Sequence, residues 1–169
     1  MAHRYLVALG SNQRHLRHGS PRAVIAAALA ALEQAGLRIA ASSPVVSSLP
    51  VGPSARRYAN AAAVIEAVCE PDELLARLQD IEDAFGRCRR GEPWRARVLD
   101  LDAVLWDGGC WAGPGLIIPH AAFRERRFVL DPAVTIAGHW RDPLSGLTLR
   151  QLRGRLAHPR PAIRESSPA

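Results

Sequence analysis

The sequence predicts an α+β sandwich in the order β-α-β-β-α-β, with further strands and helices at the C-terminal end. Three observations carry this reading. Two helical stretches open on proline and close on glycine, Pro21 to Gly36 and Pro71 to Gly86. Apolar segments of strand length stand before, between and after them. Loops rich in proline and glycine separate the pieces, as at Leu49-Pro50-Val51-Gly52-Pro53.

In order, Arg4–Leu9 is a short buried strand ending at Gly10, and residues 10–20 form a polar loop. Ser20 supplies a capping hydroxyl and Pro21 fixes the first helical turn. This alanine- and leucine-rich helix runs to Ala35. Leu37–Ser47 is extended and interrupted near Pro44, and Tyr58–Cys69 is a long strand despite its alanines. The second helix has Asp72 and Glu73 in its first turn, where they complement the helix dipole. Leu74, Leu75, Leu78 and Ile81 form its apolar face. Val98–Trp106 is a strand, because Leu99, Leu101, Ala103 and Leu105 alternate with the residues between them. A hairpin is expected around Asp107-Gly108-Gly109, a short helix near Ala121–Arg127 and a last helix over Leu147–Leu156. The order is the split βαβ of a ferredoxin-like sandwich. Residues 1–157 are expected to form a single domain, and residues 158–169, rich in Pro, Ser and Arg, a disordered tail.

The chain has 169 residues and is 48% hydrophobic, enough for one real core. Its formal charge of +6 suits an anionic partner. All 22 basic residues are arginine, a choice that GC-rich codon usage explains; guanidinium forks nonetheless match phosphate oxygens. Cys69, Cys88 and Cys110 are odd in number and lack zinc spacing, so reduced thiols in a cytoplasm are expected. The N-terminal residues carry no secretory h-region. Ala23–Ala35 is too short to cross a membrane and carries Glu33 and Gln34.

The chemistry concentrates between Gly86 and Asp102. Arg87, Arg89, Arg90, Arg95 and Arg97 lead into Asp100-x-Asp102. A strand has period two, so the two carboxylates share a face about 6–7 Å apart. They repel unless a positive charge sits between them. Mg²⁺ takes one or two carboxylates together with phosphate oxygens. An isolated Asp-x-Asp is more often a solvated strand edge; the arginines beside it favour a metal. The segment reads as an ATP-dependent phosphoryl or pyrophosphoryl transferase.

Other motifs stand in a fixed order around it. They are Gly10-Ser11-Asn12, Gly52-Pro53, Tyr58-x-Asn60, Gln79-x-x-Glu82-x-x-x-Gly86-Arg87, Trp94-x-x-Arg97-x-x-Asp100-x-Asp102 and Pro119-His120. From Tyr5 to Leu152 the chain resembles the 6-hydroxymethyl-7,8-dihydropterin pyrophosphokinase family of folate biosynthesis, also called 2-amino-4-hydroxy-6-hydroxymethyldihydropteridine diphosphokinases. Members move a pyrophosphoryl group from ATP, the co-substrate, to the pterin's hydroxymethyl oxygen and release AMP. The resemblance implies that Asp100 and Asp102 hold two Mg²⁺ ions. It implies that Arg87 and Arg97 act on the phosphates as the bond to the α-phosphate breaks, and that Asp102 accepts the hydroxyl proton. Gln79, Glu82, Arg89, Trp94, His120 and Arg126 match ATP contacts. Asn12, Ser48, Val51, Tyr58, Asn60 and Phe128 match pterin contacts, with Tyr58 and Phe128 stacking on the ring. A cytoplasmic monomer without membrane or nucleic-acid partners is expected.

Plainer roles compete at single residues. Asn12 makes a turn, His120 caps the next helix, and Tyr58 or Phe128 alone would be core. The chain also departs from the family at Pro93, Arg95-Ala96, Gly115 and Ala121, and in a longer loop with Arg14, His15, Arg17 and His18. These changes touch loops and ATP contacts rather than the carboxylate pair. They leave open a paralogue acting on a related pterin, or a protein that binds ATP or pterin without turnover. A basic RNA-binding module is disfavoured, because aromatics are only 5% and no strand has the RNP1 pattern.

Overall fold

The structure is a computed structural model and describes residues 1–48, 57–86 and 98–157. Strand β1 (His3–Ser11) pairs antiparallel with β4 (Tyr58–Ala67) on one side and β5 (Asp100–Trp106) on the other. Strands β2 (Arg38–Ser42) and β3 (Val46–Ser48) both pair with β4. The sheet order is therefore β2-β4-β1-β5, with β3 beside the other end of β4. The expected extended stretch after the first helix is these two strands, broken at Ser43-Pro44-Val45.

Helices α1 (Pro21–Gln34) and α2 (Pro71–Ala84) begin and end where their punctuation places them. Ser20 Oγ accepts from the Ala23 amide at 3.3 Å, and Pro21 supplies the first turn. Gly36 and Gly86 follow the helix ends with φ of 78° and 85°, a region costly for a side chain.

The sheet is covered on both faces. On one, Tyr5, Val7 and Leu9 pack with Ile25 and Leu32 of α1 and Leu74 and Leu78 of α2. On the other, Leu6, Val64 and Leu105 pack with helices α3 (Arg127–Ala137) and α4 (Leu149–Ala157) through Leu130, Ala133, Leu149 and Leu152. This two-sided cover explains the alanines of β4. Ala61 to Ile65 are each no more than 2% exposed, and small side chains let helical layers approach from both sides. Burial overrides the weak strand preference of alanine.

Two expectations are corrected. Asp107-Gly108-Gly109 makes a turn closed by one bridge between Trp106 and Gly109. The two-stranded hairpin is β6 (Trp111–Gly113) with β7 (Leu116–Ile118), turning at Pro114-Gly115, where Gly115 has φ of 75°. The expected helix over Ala121–Arg127 is only a 3₁₀ turn at Phe123–Glu125, and the full helix α3 begins at Arg127. Pro132 and the β-branched Val129, Val134, Thr135 and Ile136 disguise that helix in the sequence. Burial of Val129, Leu130, Ala133 and Ala137 against the sheet stabilises it. No helix among the described residues is long and apolar enough to cross a membrane.

Candidate active site

Register builds the site. In the β4-β1-β5 ladder, Asn60, Gly10 and Asp100 stand opposite one another, and Ala62, Ala8 and Asp102 form the next such row. Ala62 and Ala8 belong to the core under α3. The period of two then turns Tyr58, Asn60, Gly10, Asp100 and Asp102 to that same face. Two strand spacings of about 4.8 Å separate Asn60 from Asp100, and only Gly10 lies between them. The floor there is bare backbone. A Cβ at Gly10 would lie 3.6 Å from Asn60 Oδ1, so larger side chains would fill the gap.

The pterin-side candidates gather at one end of this face. Asn60, 4% exposed, donates from Nδ2 to Ser48 Oγ at 2.8 Å, and Ser48 stands opposite Tyr58 in the β3–β4 pair. Asn12 follows β1 and is buried. Phe128 opens α3 and packs against the core on this side, with the Arg126 guanidinium 5.7 Å from its ring centre. An open cleft of about 550 Å³ lies beside Asn12, lined by Gln13, Arg14, Pro21 and Arg57.

The ATP-side candidates come from three places. The His120 amide donates to Val104 O at 3.1 Å, which seats His120 beside β5, two residues along from Asp102. Its Nδ1 accepts from the Ala122 amide at 3.3 Å, so His120 does cap the turn that follows it. Gln79 is half-buried on α2, one turn before Glu82. Glu82 is 2% exposed, and its Oε1 accepts from the Leu101 amide at 2.8 Å, between the two aspartates. Val51, Arg87, Arg89, Trp94 and Arg97 lie outside the described residues.

Two supporting features escape sequence reading. Arg124 grips buried Asp142 through Nε at 2.7 Å and Nη2 at 2.6 Å, tying the segment from His120 to Arg126 to the loop before α4. Burial pushes the Asp142 carboxyl up. Hydrogen bonds from Arg124, Ser145 and Leu144 outweigh it and hold the group down at about 2. The second feature is in the long loop after Asn12. His15 stacks on His18, and His18 on Phe85 at the end of α2, with centroids 4.6 and 4.8 Å apart. Burial against these rings, then His15, lowers the His18 pKa. Arginine and aspartate 18 residues apart carry no local signal, nor do histidines that meet a distant phenylalanine.

Asp100 and Asp102 are half-buried hard oxygen donors on one face, which fits Mg²⁺. Among the described residues, no group of three or more His, Cys, Asp or Glu side chains is placed to hold a metal ion. Mg²⁺ does not require one, since water and phosphate oxygens complete its shell. A pair of hard carboxylates on one sheet face, beside a position without a side chain, is compatible with an enzyme that moves phosphate groups.

Comparison with known proteins makes this specific. Residues 6–138 match the 7,8-dihydro-6-hydroxymethylpterin-pyrophosphokinase (HPPK) family. The chain is 35% identical over 150 residues to the 2-amino-4-hydroxy-6-hydroxymethyldihydropteridine pyrophosphokinase of Synechocystis sp., covering 89% of this chain and 74% of the relative. It is 39% identical over 145 residues to the enzyme of that name from Pseudomonas aeruginosa, covering 85% and 86%. A crystal structure of Plasmodium falciparum HPPK-DHPS shares the fold over 92% of this chain, with a TM-score of 0.70 at 11% identity; the match spans 44% of that longer chain. The chain belongs to the 7,8-dihydro-6-hydroxymethylpterin-pyrophosphokinase family.

Proposed function

We propose that this chain transfers a pyrophosphoryl group from ATP to the hydroxymethyl oxygen of 6-hydroxymethyl-7,8-dihydropterin, releasing AMP, as a step of folate synthesis. The observation that supports the reading is the row Asn60–Gly10–Asp100, in which a buried amide and a half-buried carboxylate stand on either side of a position without a side chain. The pterin lies over Gly10 with Asn60 and Ser48 at its edge. Tyr58 and Phe128 stack on it, Asn12 closes the same end, and Val51 is a further pterin contact that the resemblance implies. Its hydroxymethyl group points toward β5.

Asp100 and Asp102 hold two Mg²⁺ ions. Bound Mg²⁺ neutralises the triphosphate oxygens and the charge that develops on the leaving group. The hydroxymethyl oxygen attacks the β-phosphorus, and the bond from that phosphorus to the bridging oxygen of the α-phosphate breaks. Asp102 takes the hydroxyl proton. Arg87 and Arg97 stabilise the charge passing to AMP, an electrostatic role that needs position more than covalent chemistry. Gln79, Arg89, Trp94, His120 and Arg126 hold the nucleotide.

The strand order supports a ferredoxin-like arrangement, with α1 and α2 crossing between strands on one face. Residues 1–157 act as one domain, which the two cores on opposite faces of a single sheet support. We infer a cytoplasmic monomer; the exposed apolar side chains Leu16, Val68, Ile117 and Leu144 sit on separate segments.

Mass spectrometry after incubation with ATP, Mg²⁺ and 6-hydroxymethyl-7,8-dihydropterin tests the reaction. The expected products are a pterin heavier by two phosphate units and AMP. Gain of one phosphate with ADP, or no transfer, would overturn the assignment.

A further inference from the structure

We propose that Glu82 is a positioning residue that fixes the carboxylate pair through the backbone of Leu101. The inference rests on Asp100 and Asp102 being the metal ligands. Among the described residues β5 ends the sheet, with β1 as its strand neighbour. An edge strand turns every second amide away from its partner. The Leu101 amide is one of these, since it donates to Glu82 Oε1 at 2.8 Å. Antiparallel alternation then directs the amides of Asp100 and Asp102 toward β1, opposite Gly10 and Ala8.

The Asp-Leu-Asp backbone is thus held from three directions. The β1 ladder holds it within the sheet. The Leu101 side chain, 5% exposed, is anchored in the core that includes Leu78 and Ile81 of α2. Glu82 closes the outer edge. Without that last contact, the strand could pivot about the Leu101 side chain and carry both carboxylates with it. Glu82 is itself 2% exposed. A buried carboxylate is costly unless hydrogen-bonded, whereas water could satisfy an ordinary edge amide. Its bond to the Leu101 amide gives it a use that a solvated edge would not need. Glu82 then serves the metal pair from behind.

The test separates reach from charge. Glu82→Asp keeps the charge but withdraws the oxygen by one methylene. Glu82→Gln loses the charge but keeps an acceptor at full reach. A misplacement of 1 Å near reacting groups costs about 10²-fold in rate. Glu82→Asp should therefore lower kcat toward that extent, with KM for ATP at saturating Mg²⁺ little changed. It should also weaken Mn²⁺ binding in the presence of a non-hydrolysable ATP analogue, read by electron paramagnetic resonance. Amide exchange at Leu101 should speed up. Glu82→Gln should recover most of each property.

If Gln is as impaired as Asp or worse, charge matters and the brace is wrong. If Glu82→Asp keeps normal kcat and Mn²⁺ affinity while Leu101 exchange rises, the contact is merely structural and the proposal fails. Asp100→Asn is assayed in parallel. Activity retained there would sink the metal-pair reading itself, whereas its loss beside a normal Glu82→Asp sinks only the brace.

Discussion

The Arg124–Asp142 fork should be a pH-dependent clamp on the segment that carries His120 and Arg126. Asp142 is fully buried, and Arg124 meets it with two parallel bonds of 2.7 and 2.6 Å. Lowering the carboxyl from its ordinary 3.8 to about 2 corresponds to about 2 kcal/mol. Because the folded-state value is depressed, this stability is present in full above pH 3.8 and is lost as pH falls toward 2. Arg124→Ala removes the partner and leaves a buried charge behind, a change that costs about 3–5 kcal/mol. Asp142→Asn keeps an acceptor but removes the charge, and should cost less. Urea unfolding at pH 6 of both single variants and the double variant gives the coupling between the two side chains. We expect a coupling of about 0.5–3 kcal/mol that shrinks when the cycle is repeated near pH 3. The functional companion is weaker binding of an ATP analogue by Arg124→Ala, since the turn beneath His120 loses its tie. A coupling below about 0.5 kcal/mol, within the error of additivity, or one that does not change with pH, would refute the clamp.

Asp100→Asn or Asp102→Asn should abolish turnover while circular dichroism shows an intact fold; near-normal activity in both would remove them as metal ligands. Tyr58→Ala and Phe128→Ala should weaken pterin binding by about two- to tenfold each, from lost stacking worth about 0.5–1.5 kcal/mol, and spare binding of an ATP analogue. Calorimetry with each ligand separately checks this, and equal losses for both ligands with a lower melting temperature would mean core packing. Gly10→Val should fill the floor between Asn60 and Asp100 and cut pterin affinity at least tenfold, whereas Gly10→Ala meets only an ordinary 3.6 Å contact with Asn60 and should fold normally. Unimpaired pterin binding by Gly10→Val would place the ring elsewhere.

Local chemistry is legible along the chain. The pairs Ser20-Pro21 with Gly36 and Pro71 with Gly86 mark both early helices, because caps and glycine turns depend on neighbours a few residues away. Asp100 and Asp102 share a face for an equally local reason, the period of the strand. Local signals also mislead where tertiary burial outweighs them. Pro132 and four β-branched residues argue against the helix that packing on the sheet makes stable. Two glycines at 108 and 109 draw the hairpin away from Pro114-Gly115. The site's alignment is different in kind. That Asn60 lies two strands from Asp100 across a bare Gly10 depends on which strands pair and in what register. That Glu82 meets Leu101, and Arg124 meets Asp142, depends on helices and loops packing around that sheet. By itself, the sequence determined the early helices and the shared face of the aspartates, since these follow from spacing, while the wider set of candidate residues came from the order of motifs that resembles the family. Only the tertiary structure decided which of them face one another and what holds them there, since non-local pairing and the burial of polar groups exist only once the sheet has formed.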